Sequence, residues 1–173
     1  MAYTFLKAIG AKIGTSRCEE PQLATAREFV ARAEKRGIQI ILPSDHIVAA
    51  EFNADSPPEE IGVRDIPEGE MGLDIGPATR DAICAAVGGA KTVFWNGPMG
   101  VFEWEAFGAG TRAVASAVAT CPGYTVVGGG DSVAAIEMAG VQDRIGHVST
   151  GGGASLELLQ HGTLPGIAAL MTP

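Results

Sequence analysis

The sequence has 173 residues, and its 12 Lys and Arg against 20 Asp and Glu give a formal net charge of −8. Apolar residues make up 46% of it, which excludes a disordered chain. No apolar run approaches the roughly 20 residues that span a bilayer. Its Lys and Arg are few and scattered, which argues against a nucleic-acid partner. We therefore expect a globular domain that binds neither nucleic acid nor membrane.

The cysteines and the first residues indicate the compartment. Cys18, Cys84 and Cys121 are odd in number, widely spaced and without a CxxC pair, which argues against a disulfide framework or a zinc site. The chain opens without the basic head and apolar core of a secretory signal. We therefore expect the protein to be cytoplasmic.

Helices and short apolar strands alternate along the chain. A first helix is predicted over 1–8 and a second over 21–36, where apolar residues recur at helical spacing and Gly37 follows the last turn. Apolar runs predict strands at 39–42, 47–52, 92–95, 124–127 and 145–149. Further helices are predicted at 79–87, from Phe107 to Val118, at 132–138 and at 154–159. This alternation is typical of an α/β domain with a mainly parallel sheet that is covered on both faces.

Glycine is the most informative residue of this sequence, with 24 copies where average usage gives about 12. The glycines follow apolar strands, above all in the turns after Trp95, Val127 and Thr150. In a parallel sheet the carboxyl ends of the strands meet at one edge, and ligands bind there. The three turns are therefore predicted to converge on one ligand site.

The turn from Gly128 to Ser132 carries the strongest phosphate signal. Its glycines allow close approach of the backbone, and the free N–H groups at the start of the following helix point at an anion. Asp131 would repel a phosphate unless a cation lies between them, and Mg²⁺ held by one carboxylate and phosphate oxygens resolves that conflict. The alternative is that Asp131 only caps the helix.

Two further turns predict other parts of a ligand site. The turn His147–Ser155 repeats the glycine arrangement and is predicted to hold a second anion or the group being transferred. Its alternative is a tight turn capped by Ser or Thr, but two triple-glycine turns at adjacent strand ends favour a site. After Trp95, the side chains of Pro98, Met99 and Val101 offer flat apolar surface to a purine, and Glu103 could accept a hydrogen bond from a ribose hydroxyl. The alternative for this third segment is a loop with a core aromatic residue.

Five segments of the sequence resemble the phosphoglycerate kinase family. They are 1–7, 71–77 (Met-Gly-Leu-Asp-Ile-Gly-Pro), 95–105, 127–132 and 147–157, and they follow the family's order and spacing. The resemblance implies a three-layer αβα Rossmann-like domain with a mainly parallel sheet. Because no strand precedes the helix at 1–8, we expect this sheet to be truncated at its N-terminal edge. Residues 1–173 then form a partial C-terminal nucleotide-binding domain, with 162–173 as a C-terminal tail.

The family transfers a phosphoryl group from 1,3-bisphosphoglycerate to Mg-ADP, giving ATP and 3-phosphoglycerate in glycolysis. The resemblance implies a role for each residue that matches a family motif. The adenine would be bordered by Gly72, Leu73, Gly97, Met99 and Phe102, with Asn96, Pro98 and Val101 in the same nucleotide site and Glu103 holding the ribose. The phosphates and Mg²⁺ would meet Gly129, Gly130, Asp131 and Ser132, with Asp131 as the metal ligand. The transferring phosphoryl group would be held by Gly129, Gly152 and Gly153, as the catalytic residues.

The sequence also departs from the family's pattern. It lacks the N-terminal domain that binds phosphoglycerate, and the Gly-Ala-Lys strand end that precedes the first helix. We therefore expect ATP and ADP to bind this chain, the phosphoglycerates to bind only with the missing domain, and the chain to be monomeric and inactive alone. Two alternatives remain open, namely a module that binds nucleotide without transferring phosphate, and a truncated gene product that does not fold stably.

Overall fold

Helices and strands alternate along the structure, which is a computed structural model that describes residues 1–171. Its α-helices are α1 (Ala2–Ala8), α2 (Leu23–Lys35), α3 (Pro77–Gly88), α4 (Ala109–Thr120), α5 (Gly130–Met138), α6 (Gly152–His161) and α7 (Pro165–Met171). Its strands are β1 (His46–Ala49), β2 (Glu59–Ile61), β3 (Met71–Ile75), β4 (Thr92–Asn96), β5 (Tyr124–Gly128) and β6 (His147–Ser149). The chain divides into two units, Met1–Ala86 with Met99–Val114, and Val87–Pro98 with the described residues from Ala115 onwards.

The first unit contains an antiparallel sheet in the order β2-β1-β3. The register between β1 and β3 shifts between Ile47 and Val48, as at a β-bulge. Ala49 of β1, Leu73 of β3 and Phe107 form one buried hydrophobic cluster. The sheet therefore has a buried face, and β3 brings the predicted adenine residues Gly72 and Leu73 into this unit.

Asp45, the residue just before β1, is hydrogen-bonded to the start of α3. Its carboxylate accepts hydrogen bonds from the backbone N–H groups of Ala78 (2.7 Å) and Thr79 (2.8 Å). Burial by itself raises the pKa of the Asp45 carboxyl, but the hydrogen bonds from Thr79 and Ala78 outweigh it and hold the pKa below its ordinary value. The ionised carboxylate thus caps a helix from a distance in sequence and satisfies N–H groups that the helix itself leaves free.

The second unit contains a parallel sheet in the order β4-β5-β6. The central strand is β5, whose Val127 is fully buried, as expected for a strand covered on both faces. Asn96 pairs with Gly128, and Gly128 pairs with Ser149, so the last residues of the three strands lie side by side. The glycine turns that follow β5 and β6 therefore start from the same edge of the sheet.

The predicted α/β class with a parallel sheet is confirmed, and the six predicted helices are present with ends shifted by a few residues. The strand predicted at 39–42 is wrong. Its apolar residues are half-buried and form no regular secondary structure, and the described residues offer them no partner strand for a hydrogen-bonded ladder. The strand predicted at 47–52 exists only as the shorter β1, and the antiparallel pairing of β1, β2 and β3 was not predicted.

Two predictions concern the C-terminal tail and the absence of a membrane-spanning segment. The segment 162–173, predicted as a tail, includes α7 (Pro165–Met171), and its residues 172 and 173 lie outside the described residues. Among residues 1–171, no helix is both long and apolar enough to cross a membrane.

Candidate functional site

Two helices begin next to each other at the carboxyl edge of the parallel sheet. Helix α5 starts after the turn at Gly129, and α6 starts at Gly152. A Cβ atom on Gly152 would lie 2.6 Å from the Cα of Gly129 and 2.9 Å from the amide Nδ2 of Asn96. The two turns are also joined by a hydrogen bond from the Gly129 N–H to the carbonyl of Ser149, at 3.1 Å. The structure thus brings Asn96, Gly129 and Gly152 together, as their positions after neighbouring strands predicted.

Glycine is required at Gly129 for two separate reasons. Its φ of 93° lies in the left-handed region, which side chains other than glycine rarely adopt. A Cβ on Gly129 would also lie 3.2 Å from the amide Nδ2 of Asn96, which is a tight contact. The close approach to the Gly129 backbone is what requires glycine at Gly152. Gly130 and Gly153, by contrast, have open space where a side chain would stand. These two turns, Gly128–Ser132 and Gly151–Gly153, are called the cradle below; they are in tight contact at Gly129 and Gly152 and open at Gly130 and Gly153.

The cradle is suited to an anion. The first N–H groups of α5 and α6 have no partner within their helices, and the helix dipoles add positive potential at both starts. Asp131 lies in the first turn of α5 with its side chain exposed. Across residues 1–171 no cluster of three or more His, Cys, Asp or Glu side chains is placed to hold a metal ion, so a metal ion at Asp131 would need further ligands from substrate or water.

Ser132 has a role that the motif did not predict. Its side chain is fully buried, and its hydroxyl oxygen accepts a hydrogen bond from the Gly97 N–H at 2.6 Å. The indole N–H of Trp95 donates to the Gly97 carbonyl at 2.7 Å, so the turn after β4 is held from both sides. Asn96 is exposed and Pro98 is half-buried in this turn. The Ser132 hydroxyl oxygen therefore anchors the turn at Gly97, while the backbone N–H of Ser132, in the first turn of α5, has no partner within the helix.

The first unit has a separate cavity of about 570 Å³, within the usual size of small-molecule sites. It is lined by three of the predicted nucleotide residues, Gly72, Leu73 and Val101. No site role was predicted for its other lining residues, which are Met71 beside Gly72 and, from three distant segments, Tyr3, Thr15, Arg17 and Phe52. Tyr3 and Met71 lie in segments that resemble the family, but no motif marks Thr15, Arg17 or Phe52, and only folding brings the five residues together.

The loop that covers β3 shapes this cavity. The N–H of Val101 donates to the carbonyl of Leu73 at 2.8 Å, and a Cβ on Gly100 would lie 2.5 Å from that same carbonyl oxygen. The N–H of Met99 donates to the hydroxyl of Thr111 at 3.0 Å. The loop thus lies directly on the strand, and Gly100 is the residue that permits this close contact.

Three predicted nucleotide residues of the same loop lie apart from the cavity lining. Met99 is half-buried, Phe102 is only 7% exposed, and Glu103 is exposed. The N–H of Phe102 donates to the Gly100 carbonyl at 2.9 Å, which keeps this turn of the loop tight beside the buried ring. The structure therefore supports a packing role for Phe102, while Glu103 is free to meet a hydroxyl group.

Asp74 lies beneath this loop and is completely buried. Its carboxylate accepts hydrogen bonds from the N–H groups of Gly110 (2.7 Å) and Ile75 (2.9 Å), which ties the start of α4 to β3. Burial raises the pKa of Asp74 to about 6, against the opposite effect of these two hydrogen bonds. Burial also raises the pKa of the Tyr3 hydroxyl, and the charge of Asp74 adds to that shift.

The predicted site residues consequently fall in both units. Those of the first unit are Gly72, Leu73, Met99, Val101, Phe102 and Glu103. Those of the second unit are Asn96, Gly97, Pro98, Gly129, Gly130, Asp131, Ser132, Gly152 and Gly153.

Comparison with known proteins gives one consistent result. The sequence model of the family "Phosphoglycerate kinase" matches residues 1–162. The phosphoglycerate kinase of Moorella thermoacetica is 56% identical over 170 residues, which are 98% of this chain and 43% of that protein. That of a Thermus thermophilus strain is 54% identical over 171 residues, which are 98% of this chain and 44% of that protein.

Solved structures agree with the sequence comparison. A structure of phosphoglycerate kinase from Coxiella burnetii superposes with a TM-score of 0.92 at 43% identity, over 98% of this chain and 43% of that one. The enzyme from Pyrococcus horikoshii gives a TM-score of 0.80 at 31% identity, over 98% of this chain and 42% of that one. The chain thus spans less than half the length of the relatives that it matches.

Proposed function

Because this chain belongs to the phosphoglycerate kinase family, we propose that it carries the nucleotide-binding half of that enzyme. In the proposed reaction, a step of glycolysis, a phosphoryl group passes from 1,3-bisphosphoglycerate to Mg-ADP, and ATP and 3-phosphoglycerate are formed. Such a transfer depends on positioning and on neutralising charge far more than on covalent chemistry. A pair of glycine turns at helix starts is suited to both tasks.

The observation that carries the proposal is the close approach of Gly129 and Gly152 at the edge of the parallel sheet. It sets two helix starts side by side, so that N–H groups from both can point at one polyphosphate. We assign the nucleotide phosphates to the start of α5, at Gly129, Gly130 and the N–H of Ser132. We assign the transferring phosphoryl group to Gly129, Gly152 and Gly153. The N–H groups of Gly152 and Gly153 would stabilise the charge that develops during transfer, and Gly129, whose own N–H is bound to the Ser149 carbonyl, would allow close approach.

Mg²⁺ fits the residues of this turn. Magnesium sites commonly use one or two carboxylates together with substrate phosphates and retained waters. Asp131 supplies one exposed carboxylate next to the proposed phosphate position. When bound, Mg²⁺ would neutralise phosphate charge, and Asp131 would orient it.

The base and the ribose are assigned to residues of the first unit. The cavity bordered by Gly72, Leu73 and Val101 has the size and the apolar lining that a flat base requires. Glu103, exposed on the loop that covers β3, is assigned to a ribose hydroxyl. The roles of Asn96, Gly97, Pro98, Met99 and Phe102 as adenine neighbours stay predictions.

Two properties of the whole protein belong to the same proposal. We place it in the cytoplasm, where its three free thiols, Cys18, Cys84 and Cys121, would stay reduced. We also propose that it acts as a monomer, as the resemblance implies.

We expect the chain to bind Mg-ADP, and Asp131→Asn to lose most of the Mg²⁺-dependent part of that affinity. Loss of a contact between charged groups is worth about 1.5–3 kcal/mol, or about ten- to more than a hundredfold. The N-cap of α5 is Gly129, and Asp131 makes no side-chain capping hydrogen bond, so Asn removes only the interaction of a charge with the helix dipole and stability should fall by no more than about 1 kcal/mol. The measurement is titration calorimetry with ADP, with and without Mg²⁺.

The matched control is Asp143→Asn, an exposed carboxylate in the short turn before β6, which should bind like the unchanged protein. Absence of binding up to millimolar ADP would contradict the nucleotide assignment. Equal affinity with and without Mg²⁺ in both the unchanged protein and Asp131→Asn would contradict the metal assignment alone.

We expect the 173-residue chain by itself to form no ATP from 1,3-bisphosphoglycerate and Mg-ADP. It spans 43% of the length of the Moorella relative, and holding donor and acceptor in line is worth about 7–11 kcal/mol of the barrier. A coupled assay of ATP formation measures this, with and without the separately produced N-terminal part of that relative. Turnover by the chain alone would show that it holds the second substrate too, and binding without turnover even in the mixture would favour a binding-only module.

A further inference from the structure

Arg17 is the one charged residue among the described residues that line the cavity of the first unit. It is exposed, and within residues 1–171 its guanidinium makes neither a hydrogen bond nor an ion pair. A guanidinium presents five N–H donors in a fixed planar fork and accepts nothing. The cavity therefore has a strong donor at its wall whose hydrogen bonds are not used by the protein.

The other donors of the cavity are already engaged or weaker. The Thr15 hydroxyl donates to the Glu70 carbonyl at 3.1 Å, and the N–H of Gly72 donates to the Ser16 hydroxyl at 2.9 Å. The N–H of Val101 is bound to the Leu73 carbonyl. Among the side chains, the donors that remain for a ligand are the Arg17 guanidinium and the hydroxyl of Tyr3. The described part of the chain places no carboxylate in the lining to accept a hydrogen bond from an amino group.

The remaining lining suits a flat ring. Phe52 is 65% exposed, and its ring centroid lies 4.6 Å from that of Trp104, which holds it as an aromatic wall. Leu73, Met71 and Val101 add apolar surface. A planar base could thus lie among these side chains while its edge faces a donor.

6-Oxopurines and adenine differ in the hydrogen-bonding groups that they present to a guanidinium. A 6-oxopurine presents O6 and N7 as adjacent acceptors, and arginine binds the pair with two parallel hydrogen bonds. Adenine presents N7 beside the 6-amino group, which is itself a donor and faces the guanidinium unfavourably. An arginine without a competing acceptor nearby therefore discriminates in favour of the oxo group.

We propose that Arg17 makes this cavity selective for nucleotides of 6-oxopurines, guanosine and inosine diphosphates, over ADP. The inference rests on the proposed function, since it places the base of a bound nucleotide in this cavity. ADP remains a ligand, but without the paired hydrogen bonds from Arg17. A bidentate arginine–base pair corresponds to a preference of about five- to 150-fold.

The experiment is titration calorimetry of the 173-residue chain with GDP, IDP and ADP, each with Mg²⁺. We expect GDP and IDP to bind with similar affinity and both more tightly than ADP. Arg17→Met keeps a long apolar stem without donors and should abolish the preference, while Arg17→Lys, with a single cationic head, should retain a small part of it. Arg36→Met removes an exposed arginine at the end of α2 and should leave the preference unchanged.

Several results would overturn the inference. ADP binding at least as tightly as GDP in the unchanged protein does so without any variant. GDP preferred while IDP behaves like ADP would assign the selectivity to the 2-amino group. Arg17→Met weakening all three ligands equally would assign Arg17 to stacking or to general attraction of phosphate. Absence of binding by all three nucleotides overturns the proposed function as well, whereas binding without discrimination overturns this inference alone.

Discussion

Gly152→Ala is expected to lower the free energy of unfolding by about 1–3 kcal/mol, because it forces an extra methyl group into a closed contact. That methyl group would lie 2.6 Å from the Cα of Gly129, which is backbone and cannot rotate away. The two helix starts must therefore separate. We expect the affinity for Mg-ADP to fall at least about tenfold, since charge-assisted hydrogen bonds from one of the two turns would be lost.

The neighbouring residue provides the matched control. Gly153 also lies in the first turn of α6, but a Cβ there meets no atom within 4 Å. Gly153→Ala keeps the same N–H group and should bind Mg-ADP normally, with stability unchanged or raised by up to about 1 kcal/mol because Ala favours helix. Urea unfolding and titration calorimetry measure both quantities. Equal behaviour of the two variants would contradict the paired-turn interpretation of the phosphate site.

The buried carboxyl of Asp74 is expected to make the stability of the first unit depend on pH. Its pKa is about 6 in the folded protein, against an ordinary value of 3.8. Between these values the folded chain keeps the proton and the unfolded chain releases it, so the contribution of Asp74 to stability is greatest below about pH 4 and falls as pH rises to about 6. The full shift corresponds to about 3 kcal/mol.

A difference measurement isolates this contribution. The unfolding free energy of the unchanged protein minus that of Asp74→Asn should fall by up to about 3 kcal/mol from about pH 4 to about pH 6 and stay constant above it. The charges that face Asp74 are those of Arg80 and Arg112, and Tyr3 lies near it as a neutral hydroxyl. Because Arg and Tyr do not titrate in this range, a flat difference would contradict the assignment. Urea unfolding at each pH, followed by circular dichroism, is the measurement.

The parallel half of the fold could be predicted because its signals are local. Strands β4 and β5 are short apolar runs, and α5 follows a glycine turn, so composition and spacing alone mark their positions. The antiparallel sheet has no such signal. Its β2 strand contains Glu59 and Glu60, and its β3 strand contains Gly72 and Asp74, residues that are uncommon in strands and that only the pairing with β1 accommodates.

The strand predicted at 39–42 is absent because its local signal has no pairing partner. Its apolar residues have the composition of a buried strand, but a strand exists only when a neighbour supplies hydrogen bonds, and the described residues supply none to this segment. Composition indicates whether a segment can be buried as a strand, but strand pairing also depends on a second segment. No local pattern could have separated this run from β4.

The amino-acid sequence by itself indicated the predicted phosphate cradle, since its glycines and Asp131 lie within the two short turns that build it. Tertiary structure alone decided which of these groups are free: it engages the Ser132 hydroxyl with Gly97 and presses Gly129 against Gly152. It also assembled the cavity that joins Tyr3, Arg17 and Phe52 to Leu73. The physical reason is that the backbone N–H groups of one turn come from consecutive residues, so the sequence shows which of them lie together. A cavity is formed by side chains from distant segments, and only packing sets the distances between them.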